Sequence, residues 1–177
     1  RRLPAQWPSG ADPRDQNGFT VHAMEITNEL LQKVRKLSLD LRPTVLDDFG
    51  LLTALHWLFQ RFNQQAALHV NPNIDPLDER RFPLAVETAC FRVVQEALTN
   101  IVRHAGVKEA TVVLQTEPNT LHLTIADSGA GFNAQQITDN LSTGISSMRE
   151  RTRLAGGEFS IQSAPAEGTV VSAIFPL

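Results

Sequence analysis

Hydrophobic positions in the middle of the chain recur with the period of a helix. In "FRVVQEALTNIVRHAG", Phe91 to Gly106, the residues Phe91, Val94, Leu98, Ile101, Val102 and Ala105 share one face, while Arg92, Glu96, Asn100 and Arg103 stack down the other. The spacing predicts one regular helix through the segment. A solvated helix face usually carries Lys and Glu pairs. This one sets an acid, an amide, a cation and the imidazole of His104 in succession, a mixture that suits binding better than solubility.

Upstream, Ala23, Thr27, Leu30, Val34, Leu37 and Leu41 fall at alternating spacings of four and three. They predict a helix over 21–41 whose apolar seam suits a coiled-coil partner or the core face of a single helix. Pro43 disfavours helical backbone at Arg42 and ends it. "DDFGLLTALHWLFQRFNQQ" predicts a second amphipathic helix, capped by Asp47 or Asp48, with Leu51, Leu52, Leu55, Leu58 and Phe59 inward.

"ALHVN" alternates as a strand does, and "EATVVLQTE" and "TLHLTIAD", separated by "PN", predict a hairpin. "GISSMRERTRLAG" reads as a further helix, and "GEFSIQSA" with "GTVVSAIFP" as two last strands. Strands that come in hairpins, with helices between, favour an α+β two-layer sandwich with a mixed, mostly antiparallel sheet. The first twenty residues hold three prolines, two glycines and no hydrophobic period, and are left as a linker or the remnant of an upstream region.

Composition narrows the function. With 177 residues there is room for one well-cored domain and a helical appendage. A net charge of -3 carries no basic excess, so a nucleic-acid partner is not expected, and a polyanionic ligand must be held by a few cations and backbone amides. The single cysteine, Cys90, falls among the apolar residues of the central helix, as a buried thiol does. No apolar run is long enough to span a membrane. Arg1 stands where a complete chain has Met, so further sequence is expected upstream.

Three more stretches carry candidate chemistry. In "IADSGAGF", Ile125 to Phe132, a strand ends in Asp127 and runs into Gly129 and Gly131, which places a carboxylate at a sheet edge beside backbone that can approach a flat ligand. A carboxylate accepts hydrogen bonds and so suits an exocyclic amine such as that of adenine. An ordinary Asp-Ser-Gly turn has the same sequence. Thr143 and Gly144 open the helix "TGISSMRERTRL", whose free amides can hold phosphate, and the polar "NAQQITDNLS" before it reads as a lid. "EGTVVSAIFP" puts Gly168 and Thr169 at the start of the last strand. Neither a P-loop nor a dinucleotide fingerprint is present.

In this order the stretches resemble the ATP-binding region of two-component sensor histidine kinases, the nitrate-sensor-like branch, within the class that also holds gyrase, a heat-shock chaperone family and the mismatch-repair protein MutL. "QEALTNIVRHA" is similar to that family's N box, "DSGAGF" to its first glycine box, and "GISSMRER" with "GTVVSAIFP" to its second glycine region. "LRPTVLDDFGLLTAL" resembles a junction peculiar to the branch. The resemblance spans about residues 21–176.

It implies a Bergerat-type sandwich over 44–177, preceded at 21–43 by the second helix of a dimerisation hairpin. It implies ATP and Mg²⁺ as ligands, with Asn100 on the metal and Glu96 polarising a water or assisting at the acceptor. Arg103 and His104 would face the triphosphate, Asp127 would read the adenine amine with Thr169 supporting it through a water, and Gly129, Gly131, Thr143 and Gly144 would close over the nucleotide. The implied reaction is transfer of the γ-phosphoryl group to a histidine, for relay to a response regulator, in the cytoplasm and in a dimeric parent.

Two departures stand out. "GISSM" has Ser147 where the family usually has a second glycine, and the family's acceptor, a His followed by an acid in an Arg-rich helix, is absent. His22 stands in "FTVHAMEI" without that context, so the isolated chain is not expected to phosphorylate itself. A clamp ATPase of the gyrase kind and a non-catalytic, anti-sigma-like nucleotide-binding regulator remain as alternatives.

Overall fold

A computed structural model describes residues 44–74, 81–133 and 143–177. The chain divides at Pro43, and every described residue belongs to the unit Pro43–Leu177. The heptad segment over 21–41, His22 and all of the polar segment before Thr143 except Asn133 lie outside the described residues.

In chain order the elements are α1 (Thr44–Ala66), β1 (His69–Ile74), α2 (Leu84–Asn100), a π-helical turn (Ile101–Ala105), β2 (Glu109–Thr116), β3 (Thr120–Asp127), α3 (Thr143–Leu154), β4 (Glu158–Ser163) and β5 (Thr169–Pro176). The five strands form one sheet in the order β1-β2-β3-β5-β4. Only β1 and β2 run parallel, joined through α2; the other pairs are antiparallel. Pro72, which cannot donate to a ladder, sits in the edge strand β1, where one side needs no partner.

Alternation decides which face the helices cover. Ala110, Val112 and Leu114 of β2, Leu121, Leu123 and Ile125 of β3, and Val171, Ala173 and Phe175 of β5 are buried, and the residues between them are more exposed. Against this face pack Leu51, Leu55 and Leu58 of α1, Val86, Cys90, Val94 and Leu98 of α2, and Ile145 and Met148 of α3. The result is the expected α+β two-layer sandwich with a mixed, mostly antiparallel sheet. Cys90 is fully buried, and loss of hydration pushes its thiol well up, so it remains protonated and inert.

Two local expectations need correction. The cap foreseen at Asp47 or Asp48 is not where the helix breaks: helical turns already run from Thr44, and Gly50 interrupts them with φ 78° and ψ 179°. A φ of 78° with ψ near 180° is open essentially to glycine alone, and Arg81 crosses Gly50 so closely that a Cβ would lie 3.0 Å from Arg81 Cδ. Arg81 donates to both carboxylate oxygens of the buried Glu87, at 3.0 and 3.1 Å, and the Phe82 amide donates to Glu87 as well. A buried charge matched in this way ties the start of α2 to the broken helix α1.

The second correction concerns the central helix. It is α-helical only to Asn100 and then widens into the π turn Ile101–Ala105, closed by Gly106 in left-handed conformation (φ 72°). A π turn spends an additional residue per turn, so the 3.6 period stops applying there. Val102, expected inside, is accordingly 42% exposed.

Candidate functional site

A cavity of about 420 Å³ opens between the sheet and the helices, a size suited to a drug-sized or nucleoside ligand. Its floor is a cross-strand row, Ile125 of β3, Val171 of β5 and Ile161 of β4, which the register places side by side. Ala97 and Ile101 from the α2 side, Ile145 and Met148 from α3, and Phe132 complete apolar walls that suit a flat ring.

Two residues along the strands the next row on that face is polar: Asp127, Thr169 and Ser163 stand directly opposite one another on β3, β5 and β4. Asp127 and Thr169 line the cavity. One oxygen of Asp127 accepts the Gly129 amide at 2.8 Å, which fixes the rotation of the carboxylate and leaves its second oxygen for the cavity.

The loop after Asp127 is held by backbone alone. The Ala130 amide donates to the Ala105 carbonyl at 2.8 Å, and the Ala130 carbonyl accepts the Ala166 amide at 2.7 Å. A Cβ on Gly129 would run into the Ala105 carbonyl and Cβ; one on Gly131, whose φ is 57°, would run into the Ala164 carbonyl. These glycines admit close approach, which the sequence "DSGAGF" had suggested.

At the other end, Asn100 and His104 line the cavity, and the first turn of α3 comes down on Glu96 and Asn100. A Cβ on Gly144 would collide with Glu96 Oε1 and lie 3.5 Å from Asn100 Nδ2. The N-terminus of a helix favours a carboxylate there. Thr143, the first residue of α3, is exposed.

Of the residues singled out from sequence, Asn100, His104, Asp127, Gly131 and Thr169 line the cavity. Glu96 and Gly144 touch at its rim, and Gly129 is buried against Ala105. Arg103 is exposed and outside the lining, because the π turn carries it round the axis while His104 stays on the Asn100 side. The apolar floor and Ser163 were not singled out. The alternation of "EFSIQS", which puts Phe159, Ile161 and Ser163 on one face, is the signal that contains them. Among the described residues no cluster of three His, Cys, Asp or Glu forms a metal site, and no helix is long and apolar enough to cross a membrane.

A two-layer sandwich with this strand order and a cavity between α2, α3 and the sheet defines the Bergerat class of ATP-binding folds. The chain belongs to the family of histidine kinase-, DNA gyrase B-, and HSP90-like ATPases, whose model matches residues 85–177, more than half its length. It is 36% identical over 152 residues to the oxygen sensor histidine kinase NreB of Staphylococcus carnosus, covering 86% of this chain and 44% of that protein. To the sensor histidine kinase MctS of Rhizobium johnstonii it is 34% identical over 167 residues, covering 92% of this chain and 35% of the relative. The chain thus spans less than half the length of these relatives.

Solved structures agree on the fold. The histidine kinase domain of the blue-light activated kinase of Erythrobacter litoralis superposes with a TM-score of 0.57 at 23% identity, over 70% of this chain and 59% of that one. The histidine kinase AdeS of Acinetobacter baumannii gives 0.54 at 13%, over 95% and 86%.

Gly129→Ala should force the loop off Ala105 and cost about 1–3 kcal/mol, as overpacking does. Hydrogen exchange is expected to show the Ala130 amide losing protection. Gly106→Ala, by contrast, meets a positive φ of 72° but nothing within 4 Å, so it should cost about 1–2 kcal/mol and leave that amide protected.

Proposed function

We propose that the chain is the ATP-binding catalytic part of a cytoplasmic two-component sensor histidine kinase, which transfers the γ-phosphoryl group of ATP to a histidine for relay to a response regulator. The observation that carries this reading is the Asp127–Thr169 pair at the polar edge of an apolar cavity whose far end reaches Asn100 and Glu96. Adenine lies between Ile125, Val171 and Met148, with its amine on the free oxygen of Asp127. The triphosphate then runs towards His104, Asn100 and the first turn of α3, where amides of Thr143 and Gly144 are available to it.

The far end fits Mg²⁺. Glu96 and Asn100 supply hard oxygens one helical turn apart, and phosphate would repel the Glu96 carboxylate at the α3 terminus unless a cation lay between them. When bound, Mg²⁺ neutralises charge on the transferring phosphate; Asn100 would hold it through its side-chain oxygen.

In the transfer itself a histidine ring nitrogen bonds to the γ-phosphorus, the bond to the β–γ bridging oxygen breaks, and ADP leaves. The work of the domain is placement and charge neutralisation. Glu96 at the rim is placed to take or orient the proton of the acceptor. The acceptor histidine comes from a segment other than this chain.

Asp127→Asn keeps an oxygen for the Gly129 amide but loses the charge, so ATP affinity measured by calorimetry should fall by the equivalent of about 1.5–3 kcal/mol. GTP, with a carbonyl in place of the amine, should bind poorly; equal affinities of the unsubstituted chain for ATP and GTP would refute the adenine placement. Asn100→Ala should retain weak nucleotide binding whose dependence on Mg²⁺ is flattened in a titration. Incubated with radiolabelled Mg-ATP, the chain alone should stay unlabelled, and a separately supplied acceptor helix should become labelled. Label on this chain that vanishes in His22→Ala would show that the acceptor lies within it.

A further inference from the structure

Ser163 is outside the cavity lining, yet its hydroxyl touches three groups that shape the cavity edge. It lies 2.7 Å from the Gly168 carbonyl, which can only accept, so the single hydroxyl hydrogen of Ser163 is used there. The Phe132 amide donates to the same oxygen at 3.0 Å. Thr169 Oγ1 is 3.0 Å away, and with the Ser163 hydrogen already committed, Thr169 must be the donor in that contact. The hydrogen of Thr169 therefore points at Ser163, and only lone pairs of Thr169 face the cavity. Its cross-strand neighbour Asp127 likewise offers only lone pairs.

We infer that Ser163 is a positioning residue for base selection: by taking the Thr169 hydrogen it makes the Asp127–Thr169 edge acceptor-only, so that a purine with a 6-amino group is accepted and one with a 6-keto group is refused. The inference rests on the proposed placement of adenine. A keto oxygen at that edge would meet two acceptors and no hydrogen, whereas an amine supplies one hydrogen to Asp127 and one to Thr169, here directly and not through the water that the resemblance implies. Ser163 also binds Phe132 at the start of the segment that follows the glycine loop, so edge polarity and wall position share one hydroxyl.

The test is the ratio of dissociation constants for ITP and ATP, each with Mg²⁺, measured by calorimetry on the full 177-residue chain. In Ser163→Ala the Thr169 hydrogen is released and can turn to the cavity, so the preference for ATP should shrink by about tenfold, the order of one net hydrogen bond. Ser163→Thr, which restores a hydroxyl, should return the ratio to within about twofold of the starting value. In a Thr169→Val background, Ser163→Ala should leave the ratio unchanged, because no hydroxyl remains to reorient.

A purely structural Ser163 would weaken ATP and ITP by the same factor and leave the ratio intact, and that result overturns the inference. If Ser163→Ala fails to fold, Thr169→Val alone decides: it removes the acceptor, so an undiminished preference for ATP overturns the inference too. A starting chain that binds both nucleotides equally refutes the adenine placement itself, and the role of Ser163 falls with it; the two failures are told apart by the starting chain.

Discussion

The Ala105 carbonyl accepts the Ala130 amide at 2.8 Å, and the rest of the site depends on that approach of two backbones. It brings the end of the central helix against the glycine loop with no side chain between them, since a Cβ on Gly129 would overlap Ala105. The same loop meets the β4–β5 turn on its other side, through the Ala130 carbonyl and the Ala166 amide. Three segments distant in sequence thus converge at one end of the sheet, and Asp127, Thr169 and His104 are carried into one cavity by that convergence. Loss of the contact would not only open the loop. It would separate Asp127 and Thr169 from the helix that carries Asn100.

The π turn is part of the same arrangement. By widening the last turn of the helix it exposes Val102 and Arg103 while keeping His104 on the cavity side, and it ends at Ala105, whose carbonyl the loop needs. π turns recur at functional sites because they re-aim a few side chains without ending the helix. Glu96, a turn before the change, is set against the start of α3, where the helix dipole favours its charge. Under the proposed placement of ATP, an end that already holds a carboxylate needs a cation before it accepts phosphate, which gives electrostatic sense to the pairing of Glu96 with Asn100.

Family membership covers the ATPase module; the related kinases named above are more than twice as long as the matching region. The module supplies a shaped, partly apolar pocket and a charged end. Signal input, acceptor and relay partner belong to the wider assembly proposed here.

What the sequence determined by itself was local and periodic. The alternation of "EATVVLQTE", "TLHLTIAD" and "GTVVSAIFP" was enough to place the strands, because a two-residue period buries one face whatever the partner. The glycines of "DSGAGF" announced close approach for the same kind of reason: no other residue satisfies that demand. Tertiary structure alone decided the rest. No spacing rule foresees that α2 widens after Asn100 or that the wider turn ends on Ala105, whose carbonyl takes the Ala130 amide of a loop distant in sequence. Nor does Gly50 announce that Arg81, more than thirty residues on, will cross it to reach the buried Glu87. Ser163 is unremarked in "EFSIQS" because its importance lies in whose hydrogen it takes, and only the pairing of β4 with β5 brings Thr169 within 3.0 Å of it.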